Sequence, residues 1–151
     1  MKFSTRATYG LKAMLYLAER YGESAVSISQ IAQDEKISAA YLEQILSRIK
    51  QEGWVKSARG PRGGYVLAVK PSELKVGALL SALGEDVLVK RVPEPPARRA
   101  RPIPHAAAEL FWRRLSDGFA QALDRVSLEE LIQSARTGPQ VHAAAPIHFN
   151  I

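Results

Sequence analysis

The stretch from Ser38 to Tyr65, SAAYLEQILSRIKQEGWVKSARGPRGGY, decides the fold of this 151-residue chain. Its first half has apolar residues at the i, i+3, i+4, i+7 spacing of a buried helical stripe. Gly53 then ends the predicted helix, because glycine readily takes the positive φ that follows a helix. Two extended runs, Trp54–Ala58 and Tyr65–Val69, flank a turn with two arginines and three glycines. A helix with a polar outer face followed by a basic hairpin predicts a winged helix-turn-helix, a DNA-binding module. The apolar stripe consists of Leu42, Ile45, Leu46 and Ile49.

Two further helices are predicted before this stretch and one after it. Apolar periodicity predicts a helix over Ser4–Tyr21 and a second over Ser27–Glu35, where the motif SISQ reads as a capping box. The connection to the third helix is short, and Ser38 is expected to cap that helix. Pro71–Gly84 is expected to hold a short amphipathic helix that closes the domain core.

The composition narrows the class of protein. The chain has no cysteine, which excludes disulfides and thiolate-bound metals or clusters. No apolar run reaches the roughly 18 residues of a membrane span, and the N-terminus lacks the apolar core of a signal peptide, so a cytoplasmic protein without a membrane partner is expected. The net charge is +6, and residues 1–70 hold 11 Lys and Arg against 6 Asp and Glu. This distribution favours a polyanion as partner, the alternative being a basic solvated surface.

The outer face of the third helix is the predicted contact surface for double-stranded DNA. The second and third predicted helices form the helix-turn-helix. In such a motif the later helix, here the third, enters the major groove with its N-terminal residues nearest the bases. Gln44 can pair with adenine, and Glu43 can accept a hydrogen bond from cytosine. The alternative role of Glu43 is to stabilise the helix by pairing with Lys36 or Lys50. The predicted contacts on this helix are Ser38, Ala39, Ala40, Tyr41, Glu43, Gln44, Ser47 and Arg48. Ser27, at the start of the second predicted helix, is a further predicted contact.

Residues outside that helix extend the predicted DNA surface. Arg6 and Tyr9 either contact phosphate or form a solvated helix end with a half-buried tyrosine. The two arginines of the hairpin turn suit the negative potential of a minor groove, and the alternative is that they are solvated. A phosphate-binding loop of the GK[ST] type is not indicated, because neither that motif nor a helix start follows the turn. The predicted contacts in the turn are Arg59, Gly60, Arg62 and Gly63.

A long helix is predicted from His105 to Val126, followed by a short one at Ser127–Ala135. The apolar residues of the long helix follow 4-3-4-3-4 spacing, the a/d seam of a coiled coil. Such a helix could cover its own domain, but its large aromatic residues favour pairing with a second copy in a two-fold homodimer. The predicted interface residues are Ala108, Phe111, Trp112, Leu115, Phe119, Ala122, Leu123 and Val126.

The run YLEQILSRIKQEG at 41–53 and the turn RGPRGGY at 59–65 resemble the IscR-like and CymR-like winged-helix regulators (Rrf-two type). The resemblance extends over residues 1–84 and includes TRATYGLKAMLYLA at 5–18. It implies a homodimeric bacterial transcription factor, mainly α with a small β-wing, that binds palindromic promoter DNA. It places Ser38, Tyr41, Glu43 and Gln44 at the major groove and Arg59 in the minor groove. Arg62 stands where many relatives have a small residue, so the resemblance assigns it no role.

The resemblance also implies a division of the chain. Residues 1–84 would form the winged helix-turn-helix domain, 85–105 a loop, 106–136 the dimerisation helix and a short helix, and 137–151 a flexible tail. In cluster-binding relatives the loop carries three cysteines and a nearby histidine. Here Val92 and Arg98 are among the residues in their place, and only His105 matches the histidine. A lone histidine cannot hold an iron–sulfur cluster, so no cofactor and no metal are expected. Either the chain is a naturally cluster-free member that senses another signal, or its cysteines were replaced.

The sequence is also compatible with a second class of function. The winged helix and the aromatic helix could form a protein-interaction module that acts through a metabolic enzyme or a polymerase. DNA binding should weaken steeply with salt, whereas a protein interaction should not. An enzyme is the least favoured class, because the sequence has no nucleophile–base pairing, HxxxH spacing or carboxylate dyad.

Overall fold

The computed structural model describes residues 3–61, 63–85 and 102–138. This part of the chain is mainly helical with one small antiparallel sheet, which confirms the predicted fold class. None of its helices is long and apolar enough to cross a membrane. The elements in chain order are α1 (Thr5–Glu19), α2 (Ile28–Glu35), α3 (Ala39–Gln51), β1 (Val55–Ala58), β2 (Gly64–Leu67), α4 (Val76–Ala82), α5 (Ile103–Arg125) and α6 (Leu128–Thr137).

The first three helices begin at polar capping residues. The Ser4 hydroxyl accepts a hydrogen bond from the Ala7 amide at 3.1 Å, and the Ser27 hydroxyl accepts one from the Gln30 amide at 3.1 Å. Ser38 occupies the N-cap position of α3, but its side chain makes no capping hydrogen bond. The predicted N-cap position of Ser38 is therefore confirmed, but the capping hydrogen bond is not formed, and the Ser38 side chain is exposed at the start of α3.

The joint between α1 and α2 is made by polar side chains at its edge. Tyr16 donates a hydrogen bond to Asp34, and this bond raises the pKa of the Tyr16 hydroxyl above its usual value of 10.0. The Arg20 guanidinium lies 4.1 Å from the centre of the Tyr16 ring. Lys12 and Glu35 form an ion pair at 2.9 Å across the same joint. These contacts link α1 to α2 at the surface of the domain.

The predicted apolar stripe of α3 forms the centre of the core. All four of its residues are buried, and they pack with α1 and α2 residues such as Met14, Leu17 and Ile31. Because one face of α3 is fully occupied in this way, the opposite face must point outward. Burial of the stripe therefore decides which side chains of α3 are available to a partner.

The wing consists of β1, β2 and the turn between them. The two strands pair antiparallel from Val55 opposite Leu67 to Ala58 opposite Gly64. Val26, just before α2, forms an isolated antiparallel β-bridge with Tyr65 of β2, in which the two residues exchange backbone hydrogen bonds of 3.0 and 2.8 Å. This bridge joins the wing directly to the helix-turn-helix.

The long helix α5 begins at Ile103, two residues before the predicted start at His105. A proline is tolerated in the first turn of a helix, where its missing N–H has no intrahelical partner, so Pro104 does not prevent the early start. The C-terminal end of α5 joins the core, where the Val76 amide donates to the Val126 carbonyl at 2.9 Å. Helix α6 begins with a capping box formed by Ser127 and Glu130, and it packs on α1. The predicted loop lies outside the described residues from 86 to 101, as does the predicted tail beyond 138.

Candidate nucleic-acid interface

The outer face of α3 is polar, exposed and continuous. Six of its residues line one shallow depression on the surface, and all six are solvent-exposed. Ala39 is exposed beside them at the start of the helix, whereas Tyr41 is half-buried. The residues of this outer face are Ala40, Glu43, Gln44, Ser47, Arg48 and Gln51. One face of α3 therefore carries small residues, hydrogen-bonding groups and a cation side by side.

Two basic residues of α3 have partners within the fold. The Arg48 Nε donates a hydrogen bond to the Ala82 carbonyl at the end of α4. Lys50 donates to the Ser57 hydroxyl of β1 at 2.8 Å, which ties α3 to the wing. Among the described residues no ion pair joins Glu43 to Lys36 or Lys50, so the helix-stabilising alternative for Glu43 is not found. Glu43 is left facing solvent on the outer face.

Helix α1 brings a second basic and aromatic group to the same place. Arg6 is exposed, and it lines a cavity of about 230 Å³ together with Tyr41, Gln44 and Arg48. The Tyr9 ring packs edge-on against the Tyr41 ring, with their centres 6.2 Å apart. The predicted contacts from α1 and α3 are thus one surface, although they lie more than 30 residues apart in the sequence. Ser27 is half-buried at the start of α2, where its hydroxyl is occupied by capping.

The tip of the wing carries the other predicted contacts. Arg59 and Gly60 are exposed, and Gly60 takes φ +116°, a conformation that favours glycine. The Gly63 amide donates to the Gly60 carbonyl at 2.8 Å and closes the turn. Arg62 lies outside the described residues. Lys56, a cation that was not among the predicted contacts, is also exposed on β1 between α3 and the turn.

The predicted interface residues of α5 fall into two groups. Trp112 is 62% exposed, Phe111 58% and Leu115 54%, and the Phe111 and Trp112 rings pack edge-on at 5.1 Å. Ala108 and Ala122 are also exposed, and Phe119 is half-buried. Towards the end of the helix, Leu123 and Val126 pack against the core of their own chain. The single predicted seam is therefore divided between an outward-facing aromatic part and a part used for internal packing.

His105 lies in the first turn of α5, and its Nε2 is 3.7 Å from Glu109 Oε1 on the exposed side of the helix. Within residues 3–61, 63–85 and 102–138, no three His, Cys, Asp or Glu side chains are grouped closely enough to hold a metal ion. In the described part of the chain, a partner of the His105 ring is therefore the Glu109 carboxylate, one helical turn away.

Comparison with known proteins identifies the family. The sequence profile of the Rrf2 family, described as "Iron-dependent Transcriptional regulator", matches residues 3–134. The chain belongs to the Rrf2 family. It is 37% identical over 133 residues to the transcriptional regulator CymR of Bacillus subtilis, covering 87% of this chain and 89% of that protein. It is also 37% identical over 134 residues to IscR of Aliivibrio salmonicida, covering 87% of this chain and 77% of that protein.

Solved structures of Rrf2 regulators have the same fold. The B. subtilis CymR structure, described as that of the global cysteine regulator, superposes with a TM-score of 0.73 at 34% identity and covers 88% of this chain and 97% of the other. The structure of T. potens IscR gives a TM-score of 0.68 at 30% identity and covers 96% and 93%. These relatives are transcriptional regulators and not enzymes. The comparison confirms the predicted resemblance, and this Rrf2 protein is a DNA-binding transcriptional regulator with a winged helix.

Proposed function

We propose that this Rrf2 protein is a homodimeric regulator that binds palindromic promoter DNA through α3 and the wing. The observation that carries the proposal is that Arg6, Tyr41, Gln44 and Arg48 line one cavity at the surface. Arg59 adds an exposed cation on the turn of the wing. The polar outer face of α3 suits a major groove, which is wide enough to admit a helix. The cations around it suit the phosphates on either side of that groove.

Each part of the surface has a distinct proposed role. Gln44 and Glu43, on the exposed first turns of α3, contact base edges, and Ser47 continues that face one turn later. A carboxylate is repelled by phosphate, so Glu43 selects among sequences and adds no general affinity. Arg59 projects from a narrow turn and enters the minor groove, where the negative potential is strongest.

The homodimer is supported by the exposed aromatic part of α5. Large apolar side chains that are contiguous and more than half exposed mark a surface that packs against a partner. A self-complementary helix face is satisfied by a second copy related by a two-fold axis. That axis would present two α3 helices to half-sites about 34–36 Å apart, one turn of the duplex, and a palindromic site would match it.

We further propose that this member works without an iron–sulfur cluster, although the profile of its family is described as iron-dependent. The donor set does not fit a cluster, because the full sequence contains no cysteine and clusters are held by thiolates. A colourless purified protein with no iron and no acid-labile sulfide is expected. A stoichiometric cluster in the purified chain would overturn this proposal.

DNA binding is tested by fluorescence anisotropy on a duplex that the purified protein selects from a random-sequence pool. The logarithm of the affinity should fall linearly with the logarithm of salt concentration between 50 and 200 mM, because bound phosphates release counterions. Arg59→Gln should lower the slope by about 0.9, because a guanidinium in the minor groove displaces about one counterion from the flanking phosphates. Gln44→Ala should leave the slope unchanged and reduce the preference for the selected sequence. Salt-independent binding, or the selection of no sequence, would favour a protein-interaction module instead.

A further inference from the structure

The end of α4 makes contacts with two helices of the proposed DNA surface. The Ala82 carbonyl, in the last turn of α4, accepts the hydrogen bond from Arg48 Nε. Three residues later, Glu85 Oε1 accepts a hydrogen bond from the Ser4 amide at 3.1 Å, at the start of α1. Between them, Gly84 lies beside the Arg6 guanidinium, since a Cβ built on Gly84 would be 3.6 Å from Arg6 Nη1. Residues 82–85 are here called the α4 end. They lie beside Arg48 of α3 and Arg6 of α1.

The α4 end is held in a fixed place by packing. Leu83 is buried, and a Cβ added at Gly10 of α1 would lie 2.4 Å from its Cδ1, so the absence of a side chain at Gly10 allows this close approach. Gly84 takes φ +94° and lets the chain turn away immediately after the helix. Helix α4 also lies close to α5, because a Cβ built on Gly77 would be 2.6 Å from Asp124 Oδ1. The position of the α4 end is therefore set by contacts with α1 and by the seat of α4 against α5.

The hydrogen bond from Arg48 to Ala82 orients the charged guanidinium group of Arg48. A guanidinium is planar and has five N–H donors in a rigid fork. When its Nε–H is held by Ala82, the two terminal NH₂ groups keep their donors and take a fixed direction. Arg48 is exposed and lines the same cavity as Gln44 and Arg6, so this direction lies within the proposed DNA surface.

We propose that the α4 end is a positioning element for DNA binding: its Ala82 carbonyl orients Arg48 so that the terminal NH₂ groups meet a phosphate. The position of α4 thereby sets the affinity for DNA. This inference rests on the proposed function, because it assumes that the outer face of α3 contacts DNA. The inference adds two points to the proposed function. The guanidinium of Arg48 has a defined orientation, and α5 is linked through α4 to this proposed DNA contact.

The first test uses Arg48→Lys, measured on the duplex selected by the wild-type protein. Lysine keeps the charge but has no Nε–H donor, so the salt slope should stay within about 0.3 of the wild-type value. The affinity should fall about tenfold, because the charge is no longer oriented. An affinity within twofold of wild type would show that Arg48 acts only as a charge and would overturn the inference.

The second test is a double-mutant cycle between Gly84→Ala and Arg48→Gln. Gly84→Ala places a side chain at φ +94° and should displace the α4 end, which lowers the wild-type affinity about fivefold. In the Arg48→Gln background the same change should cost less than twofold, since no Nε–H remains to be oriented. The matched control is the cycle with Arg59→Gln, whose residue lies in the wing, and there the two effects should multiply. Equal costs of Gly84→Ala in all three backgrounds would overturn the inference.

Folding is checked by the thermal midpoint of each variant. If Gly84→Ala is unfolded at the assay temperature, Glu85→Ala replaces it, because this substitution of a half-buried side chain removes the acceptor for the Ser4 amide and leaves the backbone of the α4 end unchanged. The same dependence on Arg48 is expected, with a cost of about threefold, and independence from Arg48 would again overturn the inference. A wild-type protein that selects no duplex refutes the proposed function itself, whereas selection with additive cycles refutes the positioning role alone.

Discussion

Gly64→Ala should uncouple the wing from the helix-turn-helix. A Cβ built on Gly64 lies 2.1 Å from the Val26 carbonyl oxygen, 2.4 Å from its carbonyl carbon and 2.8 Å from the Ser27 amide nitrogen. All three atoms belong to the backbone, so no side-chain rotation relieves the overlap. The strand must move away from Val26, and the two hydrogen bonds between Val26 and Tyr65 are then lost.

The magnitude follows from those two bonds. Each backbone hydrogen bond contributes about 0.5–1.5 kcal/mol net, so Gly64→Ala should lower the free energy of unfolding by about 1–3 kcal/mol. For a chain of this size each kcal/mol corresponds to roughly 2–4 °C in the thermal midpoint, so a decrease of about 2–12 °C is expected. Differential scanning calorimetry measures this directly. Ser134→Ala, an exposed change on α6, serves as the control and should stay within about 0.5 kcal/mol of the wild type.

The same variant should bind DNA more weakly at temperatures where it is fully folded. Arg59 lies in the turn of the wing, so a wing that no longer pairs with Val26 should not hold Arg59 in its proposed position in the minor groove. Adding Arg59→Gln to Gly64→Ala should therefore cost little further affinity, although Arg59→Gln alone weakens binding. A Gly64→Ala protein with wild-type stability and wild-type affinity would refute the idea that the Val26 bridge positions the wing.

Three further changes test other parts of the structure. Trp112→Asp should convert the homodimer to a monomer at micromolar concentration, measured by sedimentation equilibrium, because it buries a charge in the proposed interface; a stable dimer would contradict that interface. Leu46→Ala should cost about 2–5 kcal/mol of stability by opening a cavity, whereas Ser47→Ala next to it should change DNA affinity and leave stability within about 0.5 kcal/mol. Tyr16→Phe should destabilise the protein below pH 10, where the Tyr16 hydroxyl is protonated and bonds to Asp34. Because the pKa of Tyr16 is raised in the folded state, the difference from wild type in urea unfolding should shrink as the pH rises above 10; a constant difference would contradict that linkage.

The parts of the fold that the sequence predicted are those with local, periodic causes. The stripe of α3 repeats at helical spacing, and its burial then fixes the outer face by geometry, so Gln44 and Ser47 could be placed outward from sequence alone. The hairpin was predictable because its glycines and its flanking runs are adjacent in the chain. The hydrogen bond between Arg48 and Ala82 was not predictable, since it joins residues 34 apart whose meeting depends on how α4 packs.

Two other differences have physical reasons. The Ser38 side chain was expected to cap α3 because serine is common at that position, but a residue type does not determine its rotamer. Leu123 and Val126 fit both a coiled-coil seam and a core stripe, because the two patterns have almost the same period. Only the fold of the chain decides which of those surfaces a given leucine or valine covers.

The division of α5 bears on how two copies would present their DNA surfaces. At its C-terminal end α5 is joined to the domain by the bond between Val76 and Val126, by the contact of Leu123 with the core, and by α6, whose Leu128 amide donates to Leu74 at 3.1 Å. A helix anchored in this way cannot swing freely about its end, so the direction of its exposed aromatic part is fixed relative to α3. In the proposed dimer, the distance between the two α3 helices then depends on how the exposed aromatic parts of the two α5 helices pair, and on how α4 packs against α5. It depends much less on the residues that contact DNA. For the proposed dimer, substitutions in α5 that alter no base contact should therefore change the affinity for the proposed palindromic site.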